Sequence, residues 1–304
     1  MLRYICVYLA IGIVCCVTEG GAQQAPSPAP GDTIGYSAAE CPSCAEWNTP
    51  AEPVQLHGNT YYVGTKGLAA LLITSPVGHV LIDGGLPNSV PQIIRNIRGL
   101  GFREQDVRLI LNSHVHYDHA GGLAALQRMT GAVVAASARS APVLRTGQVG
   151  EDDPQYGTAL ASPAVSRVEV FRDGDTLRVG PVALVAHLTP GHTPGGTSWT
   201  WRSCDGATCL NFVYADSQTP VSADDFYFTR SLRYPEVLQD FERGFAKLEK
   251  LSCDVLITPH PAASKLWDRV GKQAGAQLVD SSACRRYVEG ARATLARRVA
   301  DEQK

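Results

Sequence analysis

Imidazole and carboxylate side chains are concentrated in one short segment of the chain. Within six residues, His114, His116, Asp118 and His119 form the pattern His-x-His-x-Asp-His. Residues i, i+2 and i+4 of an extended segment project to one side, so the first three begin on a common face. Imidazole combined with carboxylate suits zinc, whereas calcium and magnesium prefer oxygen alone. The segment therefore predicts a zinc site.

Two further histidines stand in comparable positions. His192 lies in a loop rich in proline and glycine after a predicted strand, and His260 stands between two prolines at the end of another. Loops at one edge of a sheet can converge on a single site. Six ligands would hold two zinc ions, each with a position left for water, as in catalytic sites. The other histidines are expected to be ordinary core or surface residues; they are His57, His79 and His187.

The elements that must position these residues alternate between strands and helices. Apolar runs and alternation predict strands at 69–74, 79–83, 107–112, 132–136, 167–171, 182–188, 197–201, 211–215 and 254–258. Helical spacing of apolar residues predicts helices at 90–100, 123–129, 236–251, 264–271 and 281–302. This mixture indicates an α/β fold whose sheets are covered by helices.

Composition excludes several classes of function. The chain has 304 residues, 44% of them hydrophobic, and a net charge of −2. These values are typical of a globular chain with a sizeable core and give no basic surface for nucleic acid. We expect one domain, and a monomer is the default expectation.

The first 39 residues are interpreted as segments outside the globular domain. Residues 1–22 have a basic start, an apolar run at 4–17 and small residues at 20–22, which is typical of a cleaved signal peptide. The alternative is an uncleaved membrane anchor, although the run is short for a membrane span. Residues 23–39 form a proline-rich tether, and 40–304 form the domain. The sequence therefore predicts a periplasmic protein without a membrane partner after cleavage.

Cysteine usage agrees with export. Of nine cysteines, three leave with the predicted signal peptide, and the remaining six are Cys41, Cys44, Cys204, Cys209, Cys253 and Cys284. An even number in an exported chain indicates disulfide bonds, but six cysteines allow 15 pairings and the sequence alone does not choose among them. Nearest neighbours could pair. Alternatively, Cys41 and Cys44 have the spacing of zinc ligands.

The metal motif resembles the signature of the metallo-β-lactamase superfamily. Further segments are similar to subclass B3 metallo-β-lactamases, namely 58–64, 113–122, 190–201, 214–217 and 259–261. The segment 190–201, with its Gly-His-Thr-Pro-Gly-Gly-Thr-Ser-Trp run, is the more specific of these. The resemblance extends from about residue 41 to the last predicted helix. It implies an αβ/βα sandwich, with two central sheets flanked by helices and a binuclear site at the edge of the sheets.

The resemblance also implies a role for each metal ligand. His114, His116 and His192 would bind the first zinc ion, and Asp118, His119 and His260 would bind the second. A bridging hydroxide, oriented by Asp118, would attack the carbonyl of a β-lactam substrate. The implied function is therefore an exported zinc-dependent β-lactamase that confers antibiotic resistance.

Substrate contacts are implied less directly. Ser217 and Thr219 match positions that contact the substrate carboxylate, and Gln155 is expected in the loop over the site. Some relatives pair a cysteine near residue 66 with the one that matches Cys41. Because position 66 is lysine here, the resemblance implies that Cys44 is the replacement partner.

Two other functions compete with this interpretation. A thioesterase of the glyoxalase II type or a lactonase would use an aspartate that bridges both metals, and Asp216 is the candidate. Export and the Ser217-x-Thr219 pattern favour the lactamase. The second alternative is an exported domain that buffers zinc or mediates adhesion, which predicts missing ligands or closed coordination.

Overall fold

The structure, a computed structural model, describes residues 35–270 and 278–304. The predicted signal peptide at 1–22 lies outside these ranges, as do most of the predicted tether at 23–39 and the last residue of the helix predicted at 264–271. Within the described ranges, no helix is long and apolar enough to cross a membrane.

A seven-stranded sheet carries the His-x-His-x-Asp-His segment. In spatial order, which is also chain order, its strands are β1 (Val54–His57), β2 (Thr60–Tyr62), β3 (Leu71–Ile73), β4 (His79–Ile82), β5 (Val107–Leu111), β6 (Val133–Ser137) and β7 (Val168–Phe171). Strands β1 to β4 pair antiparallel, and β4 to β7 pair parallel. The carboxyl ends of the parallel strands therefore lie along one edge of the sheet.

A five-stranded sheet completes the centre of the molecule. Its spatial order begins at the last strand of the chain: β12 (Val255–Ile257), β11 (Thr208–Tyr214), β10 (Thr197–Asp205), β9 (Val182–Leu188) and β8 (Thr176–Val179). All pairs in this sheet are antiparallel except β11 with β12. The parallel pair brings the chain after β11 and after β12 to the same end of the sheet.

Besides two 3₁₀ turns at Pro87–Ser89 and Glu104–Asp106, eight α-helices are described. They are α1 (Cys44–Trp47), α2 (Val90–Gly99), α3 (Tyr117–Ala120), α4 (Leu123–Thr130), α5 (Ser140–Thr146), α6 (Val237–Leu248), α7 (Leu266–Arg269) and α8 (Ala283–Glu302). Apolar residues of α2, α4 and α5 pack on the outer face of the seven-stranded sheet. Residues of α6 and α8 cover the outer face of the five-stranded sheet. The fold is thus an αβ/βα sandwich, as predicted.

Side-chain alternation explains how each sheet buries both faces. In β5, Leu109 and Leu111 join the core between the sheets, whereas Ile110 packs under the outer helices. The core between the sheets also contains the buried aromatic residues Trp199 and Phe212 of the second sheet. Successive residues of a strand point to opposite faces, so a strand buried on both sides is apolar throughout. This is why a nearly continuous apolar run, interrupted only by the exposed Arg108, predicted β5.

Several short elements were missed by the sequence patterns, and one was overestimated. Strands β1, β2 and β8 and helices α1, α3 and α5 were not predicted, since each has only three to seven residues. The helix predicted at 264–271 is a single turn, Leu266–Arg269, preceded by Lys265 with a positive φ of 51°. In segments this short, tertiary contacts rather than periodicity decide the conformation.

The six cysteines form three disulfide bonds between nearest neighbours in the chain. Cys41 bonds to Cys44, Cys204 to Cys209 and Cys253 to Cys284. The second bond crosses the β10–β11 hairpin, where its two cysteines are directly paired. The third joins Cys253, two residues before β12, to Cys284 in the first turn of α8. Because Cys41 and Cys44 are bonded to each other, the structure contradicts the alternative that they bind zinc.

Candidate metal centre

The six predicted metal ligands meet beyond the carboxyl ends of β5, β9 and β12. This six-residue cluster consists of His114, His116, Asp118, His119, His192 and His260. Four of the six residues are buried. The side chains of Asp118 and His260 are 14% and 32% exposed to solvent. Loops from both sheets therefore converge on one partly open site.

Glycine permits the turn that carries two members of the cluster. His116 is extended, with φ −65° and ψ 152°, and helix α3 begins at the next residue. Directly after α3, a Cβ on Gly122 would lie 2.2 Å from the carbonyl oxygen of Gly84. Gly84 also donates its N–H to the carbonyl of His119 at 3.0 Å. The close backbone approach thus holds α3 against the end of β4.

One group of three imidazoles has the geometry of a metal site. The ligand atoms of His114, His116 and His192 all lie within 4.8 Å of one another. Nδ1 of His116 is 3.2 Å from Nε2 of His192. A tetrahedral site with metal–nitrogen bonds of about 2.0–2.1 Å places its ligand atoms about 3.3 Å apart. The observed spacing fits such a site.

A second group combines a carboxylate with two imidazoles. Oδ2 of Asp118 lies 3.0 Å from Nε2 of His119 and 3.0 Å from Nε2 of His260. The two imidazole nitrogens are 3.2 Å apart, which closes a triangle of three ligand atoms. His114 lies next to both groups, since its ligand atom is also within 4.8 Å of those of Asp118 and His119. The two triangles are therefore adjacent.

Electrostatics keep three of these six groups, His114, His192 and Asp118, in the form that binds a metal. Burial and the neighbouring His119 hold the pKa of His114 well below its usual range. Burial and His116 lower the pKa of His192 to about 3. Burial opposes the ionisation of Asp118, but His119 and His260 outweigh it and lower its pKa well below the usual range. Neutral imidazoles and an ionised carboxylate are the ligating forms, so the residues fit a divalent metal.

The ring nitrogens that do not face the cluster have partners of their own. Nδ1 of His114 lies 2.8 Å from Oδ1 of Asp216. Nδ1 of His192 donates to the backbone carbonyl of Thr219 at 2.8 Å. Such partners fix the tautomer and the orientation of a metal-binding imidazole. These two contacts therefore orient the rings of His114 and His192 toward the other residues of the cluster.

Asp216, the candidate bridging ligand of the thioesterase alternative, lies behind His114. It belongs to neither group of ligand atoms within the part of the chain that the structure describes. Its Oδ2 faces Gly196, where a Cβ would come within 2.4 Å of that oxygen. Burial and the nearby Asp83 raise the pKa of Asp216 well above its usual range. This position argues against a bridging role.

A cavity of about 200 Å³ opens beside the cluster. Its lining includes His116, Asp118 and Gln155, together with Trp47 and the disulfide-bonded Cys41. Nε2 of Gln155 is 3.3 Å from Nδ1 of His116. The predicted substrate contact Gln155 therefore lies at the metal ligands and in the wall of the cavity.

The other two predicted substrate contacts lie near His114 and His192. Ser217 is buried and follows Asp216, and Thr219 is exposed and contacts His192. Neither lines the cavity described above. His57, His79 and His187 lie away from the cluster and bond to Thr208, Ser75 and Thr200 respectively.

Sequence reasoning missed two buried carboxylates near the cluster. Asp83 accepts hydrogen bonds from the backbone N–H of Ser113 at 2.7 Å and from the hydroxyl of Tyr214 at 2.7 Å. It stands at the end of β4 before two glycines, a position that could have indicated a role. Asp153 contacts His116 from an irregular loop, and nothing in its sequence context indicates this.

Comparison with known proteins identifies the family. The family model for the metallo-β-lactamase superfamily matches residues 64–207. The solved structure of the Rm3 metallo-β-lactamase is 56% identical, with a TM-score of 0.86, and the match covers 87% of this chain and 99% of that one. The chain belongs to the metallo-β-lactamase family. Its subclass is B3, because two solved structures that are 46% and 42% identical to it are described as B3 enzymes. As such it is a metal-dependent hydrolase, and the structure has the fold of this family.

Other relatives agree with this placement. MEM-A1, a subclass B3 metallo-β-lactamase isolated from a soil metagenome library, is 46% identical, with a TM-score of 0.83. That match covers 84% of this chain and 98% of the MEM-A1 chain. A protein of Burkholderia pseudomallei described as a probable metallo-hydrolase is 34% identical over 137 residues, which are 45% of this chain and 40% of that protein. The chain thus spans less than half of this curated relative.

Proposed function

We propose that this metallo-β-lactamase hydrolyses the amide bond of β-lactam antibiotics with two zinc ions. One observation carries the proposal: two adjacent groups of three ligand atoms lie beside an open cavity, one group with spacings of 3.0–3.2 Å and the other within 4.8 Å. A chain 56% identical, matched over 99% of its length, is a metallo-β-lactamase. A shared fold alone does not fix a substrate, so the proposal depends on the ligand set as well.

Each zinc ion would have three protein ligands. His114, His116 and His192 would hold the first, and Asp118, His119 and His260 would hold the second. When bound, the ions supply a Lewis acid that polarises the β-lactam carbonyl and lowers the pKa of water to near neutrality. Three protein ligands per ion would leave a coordination position open for water or substrate.

The chain itself would position the reacting groups. Asp118 is ionised at neutral pH because His119 and His260 lower its pKa, so its carboxylate can accept a hydrogen bond from the attacking water and orient it. Gln155 would contact the substrate from the cavity wall. Ser217 and Thr219 would bind the substrate carboxylate through their hydroxyls. Together these residues would align the β-lactam carbonyl with the metal centre.

Export to the periplasm is the second part of the proposal. Three disulfide bonds join residues of the domain, and disulfides persist in oxidising compartments. The signal peptide predicted at residues 1–22 would direct the chain there. In this location the enzyme would meet β-lactams before they reach the cell wall enzymes, and it would confer resistance as a monomer.

The test is hydrolysis of a penicillin and a carbapenem by the purified mature protein. EDTA should abolish turnover, and added zinc should restore it, with about two zinc ions per chain by elemental analysis. A lactone and a thioester should be tested in parallel. Absence of β-lactam turnover by a protein that holds two zinc ions would contradict the proposal, and turnover of the lactone or thioester would then identify the alternative hydrolase.

A further inference from the structure

Asp153 is a buried carboxylate that approaches the cluster from outside. Its side chain is 2% exposed, and its Oδ1 lies 3.1 Å from Nε2 of His116. The same oxygen accepts the backbone N–H of Gln155 at 2.8 Å. One carboxylate oxygen therefore joins a predicted metal ligand to a residue of the cavity wall.

The contact with Asp153 decides which nitrogen of His116 faces the cluster. An ionised carboxylate can only accept, so the hydrogen of a neutral His116 ring resides on Nε2. Nδ1 then presents its lone pair toward Nε2 of His192, which is 3.2 Å away. In His114 the two nitrogens have exchanged roles: Nδ1 contacts Asp216, and Nε2 is left to face the cluster. Without Asp153, the His116 ring would lose the group that fixes its orientation.

We propose that Asp153 is a positioning residue of the first metal site, which fixes the tautomer and ring orientation of His116 and holds Gln155 at the cavity wall through the same oxygen. This inference rests on the proposed function, since it concerns one of the two zinc sites proposed above. Asp153 acts through His116 rather than on the substrate. Its removal should therefore change metal affinity, and not turnover alone.

The neighbouring Asp152 provides a matched control. Its side chain is 41% exposed and pairs with Arg139 at the surface at 2.8 Å. The second oxygen of Asp153 has no hydrogen-bond partner within the described residues and is buried. Asp153 also borders a small cavity of about 10 Å³, which is close to the space needed by one water molecule. Adjacent aspartates thus differ in burial and in contact with His116.

The experiment measures zinc affinity by competition with a chromophoric chelator. Asp153→Ala should weaken the binding of one ion by about 10- to 100-fold, the range for loss of a partner behind a metal ligand. Asp152→Ala should leave both affinities unchanged. Asp153→Asn should give an intermediate loss, because its amide oxygen can still accept both hydrogen bonds but has no charge.

A second variant assigns the loss to the correct site. His260→Ala removes a ligand of the second site, so the ion that remains should occupy the first. Adding Asp153→Ala to this variant should lower the affinity for that ion by the same factor as in the wild-type background. Cobalt substitution gives a further readout, since a change in the ligand field at the first site alters the visible spectrum.

Two results would overturn the inference. The first is equal zinc affinity for Asp153→Ala and Asp152→Ala, even with reduced stability, because Asp153 would then have only a structural role. The second result applies if Asp153→Ala does not fold. In that case, a zinc affinity of Asp153→Asn equal to that of the wild type would overturn the inference. A wild-type protein that binds two zinc ions without β-lactam turnover would contradict the proposed function instead, and the affinity test would still apply.

Discussion

Asp216 and His114 connect the two sheets behind the metal centre. Oδ1 of Asp216, which follows β11 of the five-stranded sheet, lies 2.8 Å from Nδ1 of His114, which follows β5 of the seven-stranded sheet. With Nδ1 engaged, His114 presents Nε2 to the other ligands. The pair also places the Asp216 carboxylate behind the imidazole, which argues against a bridging role.

Gly196→Ala should disturb the metal site through Asp216. The new Cβ would lie 2.4 Å from Oδ2 of Asp216, so the carboxylate that contacts His114 would have to shift. We expect zinc affinity at the first site to fall by about 10-fold or more, as for loss of other partners of metal-binding histidines. Chelator competition measures this effect.

Gly290→Ala is the control for that substitution. Gly290 lies on the exposed side of α8, and a Cβ there meets nothing within 4 Å. Alanine should raise the free energy of unfolding by about 0.5–1 kcal/mol without changing zinc affinity. Unchanged zinc affinity in Gly196→Ala would contradict the role given to Asp216.

His116→Ala should abolish most of the activity. The substitution removes a ligand whose Nδ1 lies 3.2 Å from Nε2 of His192, so the first site loses one corner. Even indirect partners of metal ligands contribute about 10- to 100-fold, so turnover should fall by more than about 100-fold. Zinc content by elemental analysis should fall with it. His187→Ala, which removes a contact with Thr200, should keep both.

Ser217→Ala tests the proposed contact with the substrate carboxylate. A hydrogen bond to a charged group contributes about 1.5–3 kcal/mol, so we expect KM to rise about tenfold or more. The value of kcat should change little, because the metal ligands are intact. Steady-state kinetics with a penicillin distinguish the two parameters, and an unchanged KM would rule out this contact.

The disulfide bonds should contribute to stability in the order of their loop lengths. Cys253 and Cys284 are separated by 31 positions, and Cys204 and Cys209 by 5. The loop-entropy relation predicts about 4 kcal/mol for the longer loop and about 2 kcal/mol for the shorter one. Urea unfolding of the two paired Cys→Ala variants, both without zinc, measures the difference. Equal losses would contradict the entropic interpretation.

Glu302 should stabilise the fold in a pH-dependent way. Its carboxylate accepts the backbone N–H groups of Phe228 and Thr229 at 3.0 and 2.9 Å and pairs with Arg298 at 2.8 Å. Burial opposes ionisation, but these bonds outweigh it and lower the pKa of Glu302 below 4.5. The stabilisation is therefore complete above the unfolded-state pKa and is lost as pH falls through the folded-state pKa.

The matching experiment compares Glu302→Gln with the wild type, both without zinc. At pH 7 the variant should lose about 1–2 kcal/mol in its free energy of unfolding, and this deficit should shrink as the pH falls below about 4.5. Asp301→Asn is the control, because Asp301 pairs only with Lys304 at the surface among the contacts described. A deficit that does not depend on pH would contradict the ionic role of Glu302.

Much of the fold could be predicted because its signals are local. The nearly continuous apolar run of β5 and the helical spacing of Val90, Ile93 and Ile97 in α2 reflect burial directly in the order of residues. The one-turn helices α1 and α3 could not be predicted in this way, and the length of α7 was overestimated. A single turn gains too few hydrogen bonds to leave a periodic pattern, and its neighbours in space decide whether it forms.

The sequence by itself determined which residue types could bind a metal and where most of them begin. His114, His116 and Asp118 are close in the chain, so their convergence follows from backbone geometry. Only the tertiary structure placed Asp153 and Asp216 behind two of these histidines, across 37 and 102 positions of the chain. The packing of separate loops decides such contacts, and so it decides which ring nitrogen each histidine offers to the metal.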